Sequence, residues 1–273
     1  PAIVGCRRGR GSDSHSPGAA GLPAWLKGQS GGPKRCAACA TIASTAGSSV
    51  TAASQARAEP PAAAISAAGG SAIACEADVT DETAVEAMVA QAAQRFGRLD
   101  CAFNNAGITD APGDFESLPL PRWQHMIAVN LTGVFLCMKH EIRCMKKQAP
   151  QNGCRGAICN TSSGAGVVAA PGLPHYTAAK HGVLGLTKSA AQELLALRVR
   201  VNAILPGVTD TPMIAQFTGG PDSPVAKQLA QALPGGRMGE PAEVAEAAAW
   251  LCSDRARWIS GATLLADGGQ VSR

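Results

Sequence analysis

Leu99-Asp100-Cys101-Ala102-Phe103-Asn104-Asn105-Ala106-Gly107 carries a short apolar run into a polar turn. An apolar run of this length, closed by turn residues, reads as a buried strand, Leu99–Asn104, with Asn104-Asn105-Ala106-Gly107 at its end. The stretch before it, Asp81–Phe96, reads as an amphipathic helix. Val85, Met88, Val89, Ala92 and Phe96 share one stripe, and Gly97 is the stop. The stretch after it, Arg122–Met145, reads as one long helix. Outward from there the alternation continues. Strands are expected at Ser71–Val79, Gly156–Ser163, Val199–Leu205 and Thr263–Ala266, and helices at His175–Leu197 and Pro241–Cys252. Strands alternating with helices specify an α/β fold with a parallel sheet covered on both faces. With 273 residues, 46% of them hydrophobic, the chain can build one large domain of this kind.

The polar landmarks share a position. Asn104-Asn105-Ala106-Gly107, Ser162-Ser163 and Pro206-Gly207 each follow the C-terminal end of a strand, the edge at which open α/β sheets bind ligands. Near them lies Tyr176-Thr177-Ala178-Ala179-Lys180, which holds the chain's only tyrosine. Residues i and i+4 share a helix face, so phenol and ammonium point the same way. A nearby cation favours a phenolate, which makes Tyr176 a candidate acid/base group. His175 and His181 flank the pair but point elsewhere on the helix, which suits a loop or pocket-wall role. Thr209–Leu233, with Met213 and Phe217, reads as a loop and helix broken by Gly219-Gly220-Pro221 and Pro224.

Composition narrows the alternatives. No apolar run approaches the length of a membrane span, and no secretory signal is visible. The net charge of +4 is mild. It is concentrated before residue 69, where Arg7, Arg8, Arg10, Lys27, Lys34, Arg35 and Arg57 face only Asp13 and Glu59, so the rest offers no electrostatic case for nucleic acid. Ten scattered cysteines, many in apolar runs, read as reduced, buried thiols, and a cytoplasmic location is expected. Cys36-Ala37-Ala38-Cys39 lacks a second ligand pair, so no metal is expected.

Taken together and in this order, the motifs resemble those of the short-chain dehydrogenase/reductase family over about residues 69–269. Asp78-Val79 resembles the family's acidic turn beside the adenine. Asn105, Ala106 and Gly107 fall in its Asn-Asn-Ala-Gly run. Asn130, Ser163, Tyr176 and Lys180 match its catalytic set. Pro206-Gly207-Val208 with Thr211 resembles the segment that touches the nicotinamide, and Asp267-Gly268-Gly269 its C-terminal signature. The resemblance implies a Rossmann-like, doubly wound, single-domain oxidoreductase that interconverts a secondary alcohol and a ketone. NAD(H) is favoured and NADP(H) possible as cofactor, and a homodimer or homotetramer is implied. In the implied scheme Tyr176 exchanges a proton with the substrate oxygen and Ser163 holds that oxygen. Lys180, together with the nicotinamide charge, keeps the Tyr176 pKa low. Asn130 holds a water in the proton relay.

Residues 1–68 depart from the pattern. Gly5, Gly9 and Gly11 have the family's GxxxGxG spacing, with Arg8 as a hint of NADP. However, Ser12-Asp13-Ser14-His15-Ser16-Pro17-Gly18 supplies no good helix to aim at a pyrophosphate. Three readings stay open: a divergent half-site, a basic leader of the organellar type, and translation in a shifted frame, the last favoured. Two rivals follow from them. One is a catalytically impaired relative with a defective dinucleotide-binding turn. The other, weaker one is a nucleic-acid binder using Arg7, Arg8 and Arg10.

Overall fold

Side chains alternate faces along a strand, and here the alternation sorts two apolar cores onto opposite faces of one sheet. The computed structural model describes residues 71–272 together with Ala2–Val4, Cys39–Ala43 and Ile65. The sheet runs in the order β1 (Ala2–Val4), β2 (Cys39–Ala43), β3 (Cys101–Asn104), β4 (Gly156–Thr161), β5 (Val199–Pro206) and β6 (Thr263–Ala266). β2 to β6 are parallel, with Cys101 opposite Ala157 and Gly156 opposite Val199. β1 joins the β2 edge antiparallel.

On one face Ala102, Ile158, Val199 and Val201 meet three helices: α1 (Glu82–Phe96), α3 (Gly133–Lys147) and α4 (Pro174–Leu194). On the other face Cys101, Ala157, Cys159 and Ile204 meet Ala248, Leu251 and Cys252 of α7 (Pro241–Cys252). A parallel sheet covered on both faces is the Rossmann-like architecture expected. α2 (Leu120–Ile127) precedes α3, and α5 (Pro212–Thr218) and α6 (Pro224–Ala232) fill the connection after β5. No helix among the described residues is long and apolar enough to cross a membrane.

Helix ends follow their local chemistry. Asp81 caps α1 by accepting from Thr83 N at 2.9 Å, and Gly97 closes it at φ 78°. That left-handed conformation favours glycine.

Three expectations change. Arg122–Met145 is not one uniform helix, because a π-turn over Ala128–Thr132 joins α2 to α3. An extra residue in a turn leaves the apolar pattern almost intact, so periodicity does not reveal it. Ser71–Val79 is not a laddered strand. Cys75, Ala77 and Val79 alternate inward as a strand would, but no strand among the described residues pairs with 71–77. Finally, residues 1–68 supply two strands. Gly5, Gly9 and Gly11 lie outside the described residues.

Candidate active site

The site forms where β3, β4 and β5 end. Thr161, the last residue of β4, accepts a 3.0 Å hydrogen bond from Lys180 Nζ on its carbonyl and donates from Oγ1 to Asn105 Oδ1 at 2.8 Å. Lys180 is 4% exposed. Its helix is pinned by Ser162 Oγ, which donates to the Lys180 carbonyl at 2.8 Å. A side chain on Gly166 would collide with both partners of that bond, the Ser162 hydroxyl at 2.3 Å and the Lys180 carbonyl at 3.0 Å. Glycine there lets the loop after Ser163 lie directly on α4.

Asn130 sits inside the π-turn, fully buried. Its Oδ1 accepts from Ile108 N and its Nδ2 donates to Ile108 O, both at 2.8 Å. These two bonds fasten the loop after Gly107 to the π-turn. π-turns recur at functional sites, and this one places Asn130 beside Gly107. A Cβ built on Gly107 would lie 3.2 Å from Asn130 Oδ1 and 3.7 Å from Lys180 Nζ. Gly107 thus forms a cradle between the two, open to a flat or hydroxylated group and closed by any larger residue.

Tyr176 and Lys180 share a face of α4, as the spacing predicts. Lys180 Nζ lies 5.6 Å from the Tyr176 ring centroid. Burial pushes the Tyr176 phenol above its ordinary value, and a hydrogen bond with Ser163 pulls it only partly back. Burial also lowers the Lys180 ammonium to about 8. Desolvation disfavours the charged form of each group, and at this pair it outweighs their attraction. Ser163 stands in extended backbone (φ −168°) and accepts from Ala165 N at 3.2 Å.

The remaining expected positions surround this centre. Asp78 is exposed, and its Oδ1 accepts from Thr80 N and Thr80 Oγ1, both at 2.8 Å. Val79 is buried, with its side chain against Gly133. Pro206 ends β5, and Gly207 N donates to Ala266 O at 3.1 Å. A Cβ on Gly207 would fall 2.8 Å from Asp267, so glycine permits the close approach to the Asp267-Gly268-Gly269 turn. Val208 N donates to Gln270 Oε1 at 3.2 Å. Thr211 Oγ1 donates to Thr209 O and precedes α5.

Two contributors escape the sequence reading. Thr161 had a signal, its place at the strand end before Ser162-Ser163. Asp110, the partly exposed partner of the buried His175, had none, because the contact spans 65 residues. Among the described residues no group of three or more side chains has metal-ligand geometry.

The chain is similar to known proteins. A family model described as enoyl-(acyl carrier protein) reductase matches residues 36–270, beginning well upstream of residue 69. A 2,5-dichloro-2,5-cyclohexadiene-1,4-diol dehydrogenase of Sphingobium indicum is 42% identical over 205 residues, covering 75% of this chain and 80% of that protein. A cis-4-hydroxycyclohexanecarboxylate dehydrogenase of Sinomonas cyclohexanicum is also 42% identical, over 75% of this chain and 79% of its own. Among solved structures, ElxO with NADP bound superposes with a TM-score of 0.65 at 32% identity, covering 72% of this chain and 77% of that one. Fold, strand-end site and relatives agree, and the chain belongs to the short-chain dehydrogenase/reductase family, among its alcohol dehydrogenases and ketoreductases.

Proposed function

We propose that the chain interconverts a cyclic secondary alcohol and its ketone with a nicotinamide dinucleotide. The observation that supports the reading is that Tyr176, hydrogen-bonded with Ser163, lies beside Lys180, whose ammonium bonds the carbonyl at the end of β4. The residues present fit such a cofactor. The Gly107 cradle lies beside Lys180 Nζ, whose three donors suit ribose hydroxyls. Asn105, Ala106 and Gly107 would back the cofactor, and Asp78 with the Val79 main chain would meet the adenine. Pro206, Gly207, Val208 and Thr211 would face the carboxamide. The nicotinamide supplies the hydride acceptor or donor.

The protein's own residues control the proton. Tyr176 hands its phenolic proton to a ketone oxygen during reduction and takes it from the alcohol during oxidation. Ser163 holds that oxygen by a hydrogen bond. Reduction of the ketone consumes a proton and oxidation of the alcohol releases one, so oxidation gains with rising pH. Asn130 positions Gly107 and Lys180 by fastening Ile108. The ring-shaped substrate class comes from the two relatives named for cyclohexane- or cyclohexadiene-ring alcohols. Exposed Val167, Val168 and Phe217 offer it apolar walls. NAD(H) is proposed over NADP(H). The proposed assembly is a homodimer or homotetramer formed over α3 and α4, with Phe135 exposed on α3.

A panel of cyclic secondary alcohols, each assayed with NAD⁺ and NADP⁺ for formation of the reduced cofactor, tests the proposal. Turnover with at least one alcohol supports it, and its absence across the panel refutes it. The second reading, an impaired relative, is favoured by Ser12-Asp13-Ser14-His15-Ser16-Pro17-Gly18, which supplies no good helix after the Gly11 turn. It predicts folded protein that binds neither NADH nor NADPH in a fluorescence titration.

A further inference from the structure

The helix that presents Tyr176 begins without a side-chain cap. Leu173 holds the N-cap position of α4 and makes no side-chain hydrogen bond to the first turn. The first N–H groups of a helix need partners, and an uncapped first turn frays readily. Tyr176 is the third residue of that turn, so fraying there would carry the phenol away from Ser163.

A side-chain network takes the place of the cap. His175, 1% exposed, sets Nε2 2.8 Å from Asp110 Oδ2. The same oxygen lies 3.1 Å from Arg122 Nη2. Asp110 follows Gly107 and Ile108 in the loop that Asn130 fastens. Arg122 lies on α2, which continues through the π-turn that holds Asn130. One carboxylate therefore joins the Tyr176 turn to the two elements that place Gly107 and Asn130. A backbone contact runs alongside, Gly113 N donating to Gly172 O at 3.0 Å.

The charge states are fixed by the same contacts. Burial pushes the Asp110 carboxyl up, but the hydrogen bonds with His175 and Arg122 outweigh it and the net shift is downward. An ionised carboxylate only accepts, so His175 Nε2 is the donor in this contact. His175 Nδ1 then has no hydrogen-bond partner among the described residues. His175 lines a cavity of about 30 Å³ with Arg122 and Asp114, room enough for a water.

We propose that His175, Asp110 and Arg122 form a positioning clamp that registers the Tyr176 turn against the Asn104–Gly107 loop and so sets the reach and ionisation of the phenol. The clamp rests on the reading of Tyr176 as the acid/base group, and its residues act through Tyr176.

The test uses a property of this sequence. Tyr176 is its only tyrosine, so ultraviolet titration of tyrosinate reports that residue alone, with no substrate needed. In His175→Leu and Asp110→Asn, water entering the loosened turn lowers the Tyr176 midpoint toward about 10. kcat falls by about 10- to 100-fold, the scale of a small misplacement, with the KM for the alcohol little changed. His175→Gln keeps an N–H able to reach Asp110 and restores most of both. Unchanged midpoints and kcat in folded His175→Leu and Asp110→Asn overturn the clamp. If those variants fail to fold, half-exposed Arg122→Met carries the same prediction, and an unchanged Tyr176 midpoint there overturns it. A wild-type chain that turns over no alcohol refutes the proposed function, while the tyrosinate midpoints still decide the clamp.

Discussion

Lys180 shows how far this site departs from what stability alone would select. A buried ammonium with its pKa drawn down to about 8 costs free energy at pH 7. Lys180→Met, similar in length and apolar, removes that cost at the loss of one bond to the Thr161 carbonyl. Its expected outcome is a fold more stable by ~1–3 kcal/mol at pH 7, read as a higher denaturant midpoint, with turnover lost. A less stable variant would show that the ammonium is a net structural asset. The Tyr176–Lys180 pair was legible because helical spacing alone brings i and i+4 together. Its electrostatics were not, because the sign of a pKa shift depends on burial that only the assembled site provides. His175 was legible only as a neighbour of Tyr176, since its partner Asp110 lies far away in the chain.

Between elements, close approaches decide the geometry. A Cβ on Gly133 would meet Val79 Cγ2 at 2.8 Å and Val79 O at 3.3 Å. Gly133→Ala is expected to destabilise by ~1–3 kcal/mol through overpacking. Because Val79 adjoins Asp78, it should also weaken cofactor binding, measured by NADH fluorescence titration. Wild-type stability and affinity would show that the 71–79 segment yields freely. Helix limits such as Pro241–Cys252 could be read from the sequence because proline marks a first turn. The π-turn could not. β2, Cys39–Ala43, was missed as well, because Thr41-Ile42 is too short a β-branched signal to stand out in a Gly- and Ala-rich stretch.

Across the whole molecule, a buried polar chain crosses the sheet. Asn104 Nδ2 donates to Glu141 Oε2 at 3.1 Å and to Asn160 Oδ1 at 2.9 Å, and Asn160 Nδ2 donates to Thr187 Oγ1 at 3.0 Å on the Tyr176 helix. Burial drives the Glu141 carboxyl from 4.5 to about 8, against the hydrogen bond from Asn104. The folded state thus binds more protons than the unfolded state between those values. This contribution is fully present below pH 4.5, declines as pH rises and is lost by about pH 8. Glu141→Gln should flatten that slope and match or exceed wild-type stability at pH 8, measured by denaturant midpoints at both ends of the window. An unchanged slope would place the titrating group elsewhere. The alternation of strands and helices made the fold class readable from the sequence, whereas this network depends on side chains meeting from two strands and two helices. Exposed Phe135 on α3 predicts self-association, and sedimentation velocity should find a dimer or tetramer that Phe135→Glu dissociates. A wild-type monomer at micromolar concentration would contradict the assembly.

The central claim concerns one hydroxyl. Tyr176→Phe deletes the oxygen and leaves the ring against Lys180. Steady-state turnover of the best alcohol, measured beside NADH binding, should fall by about 100-fold or more, the scale of a lost general acid/base, while cofactor affinity stays within about threefold. Turnover within about twofold of wild type in that variant would contradict the account.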